Sequence, residues 1–182
     1  MRKFVVFTIL ILILVSLSFA NNVYGSPADY IKWHHDLYSK LPSMSNQRAK
    51  LLENSIYKAS LVWGIDAEII ISVIQVETGF RNIVGNHGEL GYMQVKFETA
   101  QMLYNKYRKT FTENGFYLSK PHDLIANPAL DIFTGTAYLF YLYSLKGSMA
   151  LAIKFYNASD GKNVYLERVF DVMYEIMRKV KI

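Results

Sequence analysis

Ile69, Ile70, Ile71, Val73, Ile74 and Val76 fall within one stretch, residues 67–78. At helical spacing they cover most of a helix circumference. A helix that is apolar nearly all round is a buried one, so this segment belongs at the centre of the fold. Asp66 stands where an N-cap belongs and Gly79 where a helix stops. Glu77 lies at the C-terminal end of this helix. Burial disfavours its carboxylate, and the negative end of the helix dipole disfavours it further. Both push the pKa up, and a carboxyl kept protonated near neutral pH is what a general acid requires. Taken alone, Glu77 also fits a solvated residue at a helix end.

The flanking sequence reads as further helices. Ser26-Pro27 is a start signal for a helix to about Lys40, ended by Leu41-Pro42. Leu52, Ile56, Ala59 and Trp63 recur at helical spacing within residues 46–63, before Gly64. Helices are expected at 95–109, 128–145, 149–157 (capped by Ser148) and 163–181. Residues 80–91 and 110–127 are expected as loops. No strand series of period two appears. With 52% hydrophobic residues the chain is not intrinsically disordered. The expectation is an all-α domain of about 155 residues, large enough to bury roughly two thirds of its unfolded surface.

There is no cysteine, which removes disulfides, a thiol nucleophile and cysteine metal sites. His34 and His35 are adjacent and point about 100° apart on a helix, a poor chelate. His87 and His122 are isolated. No metal is expected. At the N-terminus, Arg2 and Lys3 precede the uncharged residues 4–19 and then Ser18-Phe19-Ala20, which has the form of a secretory signal cut after Ala20. An uncleaved anchor is the alternative, although 16 residues fall short of the roughly 20 that span a bilayer. Removing Arg2 and Lys3 leaves 18 basic residues against 15 acidic ones, a mild bias that does not call for nucleic acid.

Beyond Glu77 comes Gly85-Asn86-His87-Gly88-Glu89-Leu90-Gly91-Tyr92-Met93-Gln94. Its glycines allow a backbone to approach a ligand closely. It lacks both phosphate-loop spacings. Glu77-Thr78-Gly79-Phe80 followed by Gly88-x-x-Gly91-Tyr92-Met93-Gln94 resembles the soluble lytic transglycosylase family. Leu124, Asn127-Pro128, Ile132, Gly135, Tyr138 and Leu139 continue the resemblance in order. So do Ala150-Leu151-Ala152, Phe155-Tyr156-Asn157-Ala158, and Tyr165, Arg168-Val169 and Tyr174. It covers about residue 46 to the end. Residues 21–45 then form an N-terminal helical extension.

The resemblance implies the lysozyme-like fold. It implies Glu77 as catalytic acid and base, Met93 and Gln94 along the cleft, and Tyr156 and Asn157 beside the acid. Tyr92 takes the place of the family's usual Leu and is expected to shape a sugar subsite. Asn86 is expected to contact the substrate acetamide in place of a Ser. The implied substrate is peptidoglycan, cut between N-acetylmuramic acid and N-acetylglucosamine with a 1,6-anhydro product and no cofactor. A monomer is expected, exported to the periplasm. A small exported domain also suits a wall-binding assembly module of a secretion or conjugation apparatus, the non-enzymatic alternative. Glu89 is the rival second carboxylate of a water-using enzyme, and Asp131 reads as a first-turn helix charge.

Overall fold

The computed structural model describes residues 25–39, 41–157 and 162–179; the expected signal at 1–20 lies outside them, as does Ala158. Ser26 accepts a hydrogen bond from the Asp29 amide and starts α1 (Pro27–Tyr38). Ser45 does the same for α2 (Asn46–Trp63) through the Arg48 amide, and left-handed Gly64 ends that helix. α3 (Ala67–Thr78) follows and closes at Gly79, φ 58°. Asp66 occupies the N-cap position of α3, but its side chain makes no capping bond, contrary to expectation.

The expected loop at 80–91 contains strands. β1 (Ile83–Val84), β2 (Glu89–Gly91) and β3 (Val95–Lys96) form an antiparallel sheet in sequence order. Ile83 lies opposite Gly91, and Leu90 opposite Val95. Strands of two or three residues are too short for alternation to register. β3 also delays the next helix, so α4 spans Phe97–Lys106. The expected loop at 110–127 likewise holds most of α5 (Arg108–Glu113) and all of α6 (His122–Ala126). One or two turns leave no periodic signature either.

Asn127 accepts from the amides of Ala129 and Leu130 at 3.1 Å each and starts α7 (Pro128–Lys146). α8 (Met149–Tyr156) and α9 (Lys162–Lys179) complete the described residues. Ser148 stands at the N-cap of α8 without a side-chain bond. The whole is mainly helical with one small sheet, the lysozyme-like arrangement expected.

α3 is the centre. Ile70, Ile71, Val73 and Ile74 are buried, with α9 packed along one side and α2 on another. α7 runs between α2 and α8 and supplies Leu130, Ile132, Phe133 and Leu139 to the same core. Trp63, Phe111 and Phe133 pack edge-on or tilted beneath it, with centroids 5.0–6.0 Å apart. Among the described residues no helix is long and apolar enough to cross a membrane.

Gly135 lets α7 approach the 91–94 turn. A Cβ there would lie 2.5 Å from Met93 Cβ. Helix propensity alone favours Gly135→Ala by about 1 kcal/mol. Overpacking against Met93 reverses the sign, so this variant should be less stable by about 1–3 kcal/mol in urea unfolding. A stabilised G135A would contradict the close approach.

Candidate active site

Glu77 lines a cleft of about 730 Å³ between the small sheet and the helices α7 and α8. Asn86, Gln94, Tyr156 and Asn157 share that cleft with it, and so do Glu89 and Tyr138. The ring of Tyr138 packs on Tyr156 with centroids 5.2 Å apart. Of the aromatic set on α7 this is the one that lines the cleft; Phe140 and Tyr141 are partly buried against the core and Tyr143 is exposed.

Tyr92 and Met93 stand elsewhere. Both are 0% exposed and form the floor behind the cleft. The Tyr92 hydroxyl accepts from Arg48 Nε at 2.9 Å and from the same guanidinium's outer nitrogen. Met93 fills the space that Gly135 leaves open. The reason is the turn's conformation. Gly91 at φ 80° and Gln94 at φ 52° reverse the chain, turning the two intervening side chains inward and the Gln94 side chain outward. Gln94 Nε2 then donates to the carbonyls of Ile83 at 3.1 Å and Gly91 at 2.8 Å.

Three bonds from different helices hold this turn. Thr78, next to the acid, donates through Oγ1 to the Tyr92 carbonyl at 3.0 Å. Tyr156 Oη donates to the Met93 carbonyl at 2.8 Å. The Asp131 carboxyl accepts from the Tyr92 amide at 2.6 Å. Asp131 is therefore no surface helix charge. It is 0% exposed, and burial raises its carboxyl to about pKa 8 against the two amide donors.

The electrostatics separate the two cleft carboxyls. Burial is the largest influence on Glu77 and raises its pKa. A hydrogen bond from Tyr165 Oη to Glu77 Oε1, 2.7 Å, and the Arg168 charge oppose that rise without cancelling it. The nearby charge of Glu89 adds to it. Glu89 behaves oppositely. Partial burial opposes its ionisation, but amide donors and Lys96 outweigh it and hold its pKa below the ordinary range. Its Oε2 accepts from the His87 amide at 3.0 Å, and Lys96 Nζ lies 3.9 Å from Oε1. Of the two cleft acids one is thus inclined to keep its proton and the other to stay charged.

His34 packs edge-on against Phe80 at 5.5 Å, and burial lowers its pKa to about 4. Three working residues escaped the sequence reading. Tyr165 belonged to a recognised pattern but had no role attached. Thr78 stands in the acid's own motif, again with no role attached. Asp131 looked solvated because its position in the first turn of a helix suits a surface charge equally well.

A mainly helical domain with a half-buried carboxyl at the edge of its central helix, facing a polar cleft, defines the lysozyme-like class. The family model for the transglycosylase SLT domain matches residues 54–168, and the chain belongs to that family. Among curated proteins it is 30% identical over 103 residues to a membrane-bound lytic murein transglycosylase C of Sodalis glossinidius, covering 56% of this chain and 27% of that one. The protein of that name from Salmonella typhimurium (strain LT2) is 29% identical over the same length and shares. The Edwardsiella ictaluri protein is 29% identical over 113 residues, 59% of this chain and 30% of the relative. The matched part is thus less than a third of each relative's length.

Tyr165 donates to the charged form of Glu77, so Tyr165→Phe should leave that carboxyl protonated to higher pH. Losing a hydrogen bond to the charged form leaves burial less opposed, so the Glu77 titration moves upward. NMR titration of the Glu77 carboxyl in both chains measures it. A downward shift would contradict the assigned donor.

Proposed function

We propose that this chain is an exported peptidoglycan lytic transglycosylase with Glu77 as its single acid and base. The observation that supports it most is the pairing of a raised Glu77 carboxyl with a Tyr165 donor in an open polar cleft. Protonated Glu77 gives its proton to the oxygen leaving toward N-acetylglucosamine, and the glycosidic bond breaks. The acetamide of the muramic acid stabilises the oxocarbenium-like centre. Glu77 is now a carboxylate, and the Tyr165 hydrogen bond and the Arg168 charge favour that form. It removes the proton from the sugar's own 6-hydroxyl as that oxygen closes on C1. The acid is restored, and a 1,6-anhydro end is left. The nucleophile belongs to the substrate, so little translational entropy is lost in this step.

In this reading Tyr138 and Tyr156 offer ring faces to sugars, and Asn86, Gln94 and Asn157 offer polar contacts along the cleft. Tyr92 and Met93 act from behind, by fixing the turn that carries Gln94. No cofactor takes part. The substrate lies outside the cytoplasmic membrane, which agrees with export on the N-terminal signal; service to an envelope-spanning apparatus would place the cut locally.

One observation favours a second reading, a muramidase that uses water. Glu89 shares the cleft and remains ionised, as a base for an attacking water must. Its bonds to the His87 amide and Lys96 hold it to its own hairpin, which is why the single-acid reading comes first.

Digestion of purified sacculi by the chain and by its Glu77→Gln variant tests this. The wild type should release muropeptides one water lighter than the hydrated products, and E77Q should be slower by about 10²–10⁴-fold. Reducing, hydrated ends would favour the muramidase, and an undiminished E77Q would remove Glu77 from the chemistry. Folding is checked separately. The folded pKa of Glu77 is raised above its unfolded value of 4.5, so its stabilising contribution is full below that value and shrinks as pH rises. E77Q should therefore melt no lower than wild type at pH 7.

A further inference from the structure

We propose that Asp131 is a positioning residue that works as an uncharged carboxylic acid, holding the 91–93 turn in the shape that forms the cleft behind Glu77. Its carboxyl is enclosed on every side, at 0% exposure. Gly91 comes so near that a Cβ there would lie 2.3 Å from Asp131 Cγ, and its φ of 80° suits glycine. One oxygen, Oδ2, accepts from the Tyr92 amide at 2.6 Å and more weakly from the Met93 amide at 3.4 Å. The other, Oδ1, is buried with no hydrogen-bond partner.

A carboxylate in this place would be poorly compensated. Among the described residues no ion pair reaches Asp131. The titratable groups that sense it are Tyr92 of the turn and Tyr156 of α8, both uncharged phenols raised above their ordinary values. Arg48 of α2 ends on the Tyr92 hydroxyl instead. No charged side chain of α2, α3, α4, α6, β2 or β3 offsets the burial of the carboxyl. The α7 N-terminus favours negative charge, but a helix end offsets only part of what it costs to bury an unpaired charge, so the proton stays. This agrees with the rise of its pKa from 3.8 to about 8.

The position gives the acid a functional role. The Tyr92 and Met93 carbonyls, flanking the amides that Asp131 holds, receive Thr78 and Tyr156. Thr78 adjoins Glu77, and Tyr156 lines the cleft. Loosening the turn would thus disturb both sides of the acid.

The test compares wild type, Asp131→Asn and Asp131→Ala. Infrared spectra at pH 6 should show a protonated-carboxyl band in wild type that D131N lacks. The folded pKa is raised, so stability from this group is full below about 3.8 and falls until about pH 8. The melting temperature of D131N should therefore gain on wild type across that window and run parallel above it. D131N, which keeps the shape and an accepting oxygen, should digest sacculi at pH 6 much as wild type does, while D131A should lose about a hundredfold. If D131A does not fold, Gly91→Ala replaces it and should lose digestion likewise.

A missing band, or a gap in melting temperature that ignores pH, would show Asp131 ionised and overturn the proposal. A fully active D131A, a fully active G91A in its place, or a D131N as poor as D131A, would overturn the positioning role. The activity arm rests on the wall-cleaving reading, whereas the band and the melting profile do not. If wild type digests nothing, that reading fails, and Asp131 is still judged by the other two.

Discussion

The cleft depends on how one backbone turn is fastened to three helices. Residues 91–94 leave the sheet, reverse through two left-handed positions and return to β3. Their amides and carbonyls lie inside the protein, where an unpaired backbone group costs about as much as a lost hydrogen bond. Asp131 of α7, Thr78 of α3 and Tyr156 of α8 supply the partners. Gly135 and Gly91 allow the approach, because any side chain at either would meet the opposite wall. The acid-bearing helix and the cleft-lining loop are thereby joined through one short stretch of chain.

The same burial that fixes the turn sets the acidity of the groups around it. Glu77 is half-buried, and what burial adds to its pKa is only partly returned by Tyr165 and Arg168. That balance suits a residue that gives up a proton and then takes one back. A fully solvated Glu would lose its proton too early, and one sealed like Asp131 could not reach a substrate. Glu89 shows the other limit. It lines the same cleft, but amide donors and a lysine keep it charged. Chain position does not distinguish these three carboxyls; their surroundings do.

Much of this was legible in the sequence. α2 and α3 have the bounds that apolar spacing and glycine stops set for them, and α7 and α8 differ by one residue; α9 starts one residue early, and its expected end at 181 lies outside the described residues. Long helices write their burial at a 3.6-residue period, which survives any tertiary context. The small sheet and the short helices α5 and α6 were not legible, because elements of a turn or less have no period to read. Asp66 and Ser148 occupy cap positions without the expected side-chain bonds, since a cap needs a rotamer as well as a residue type. Tyr92 and Met93 looked like cleft residues because they belong to a cleft motif. The left-handed residues on either side turn them into the core.

The sequence by itself determined that this chain is mainly helical, that residues 67–78 are its centre and that Glu77 stands at the edge of that centre. Those conclusions rest on local periodicity and on the order of motifs, both properties of a one-dimensional string. Only the tertiary structure decided which side chains face Glu77, that Tyr165 reaches it across 88 positions of chain, and that Asp131 is sealed instead of solvated. Distance, exposure and the resulting acidity arise when distant segments exclude water from one another, and no single segment encodes that exclusion.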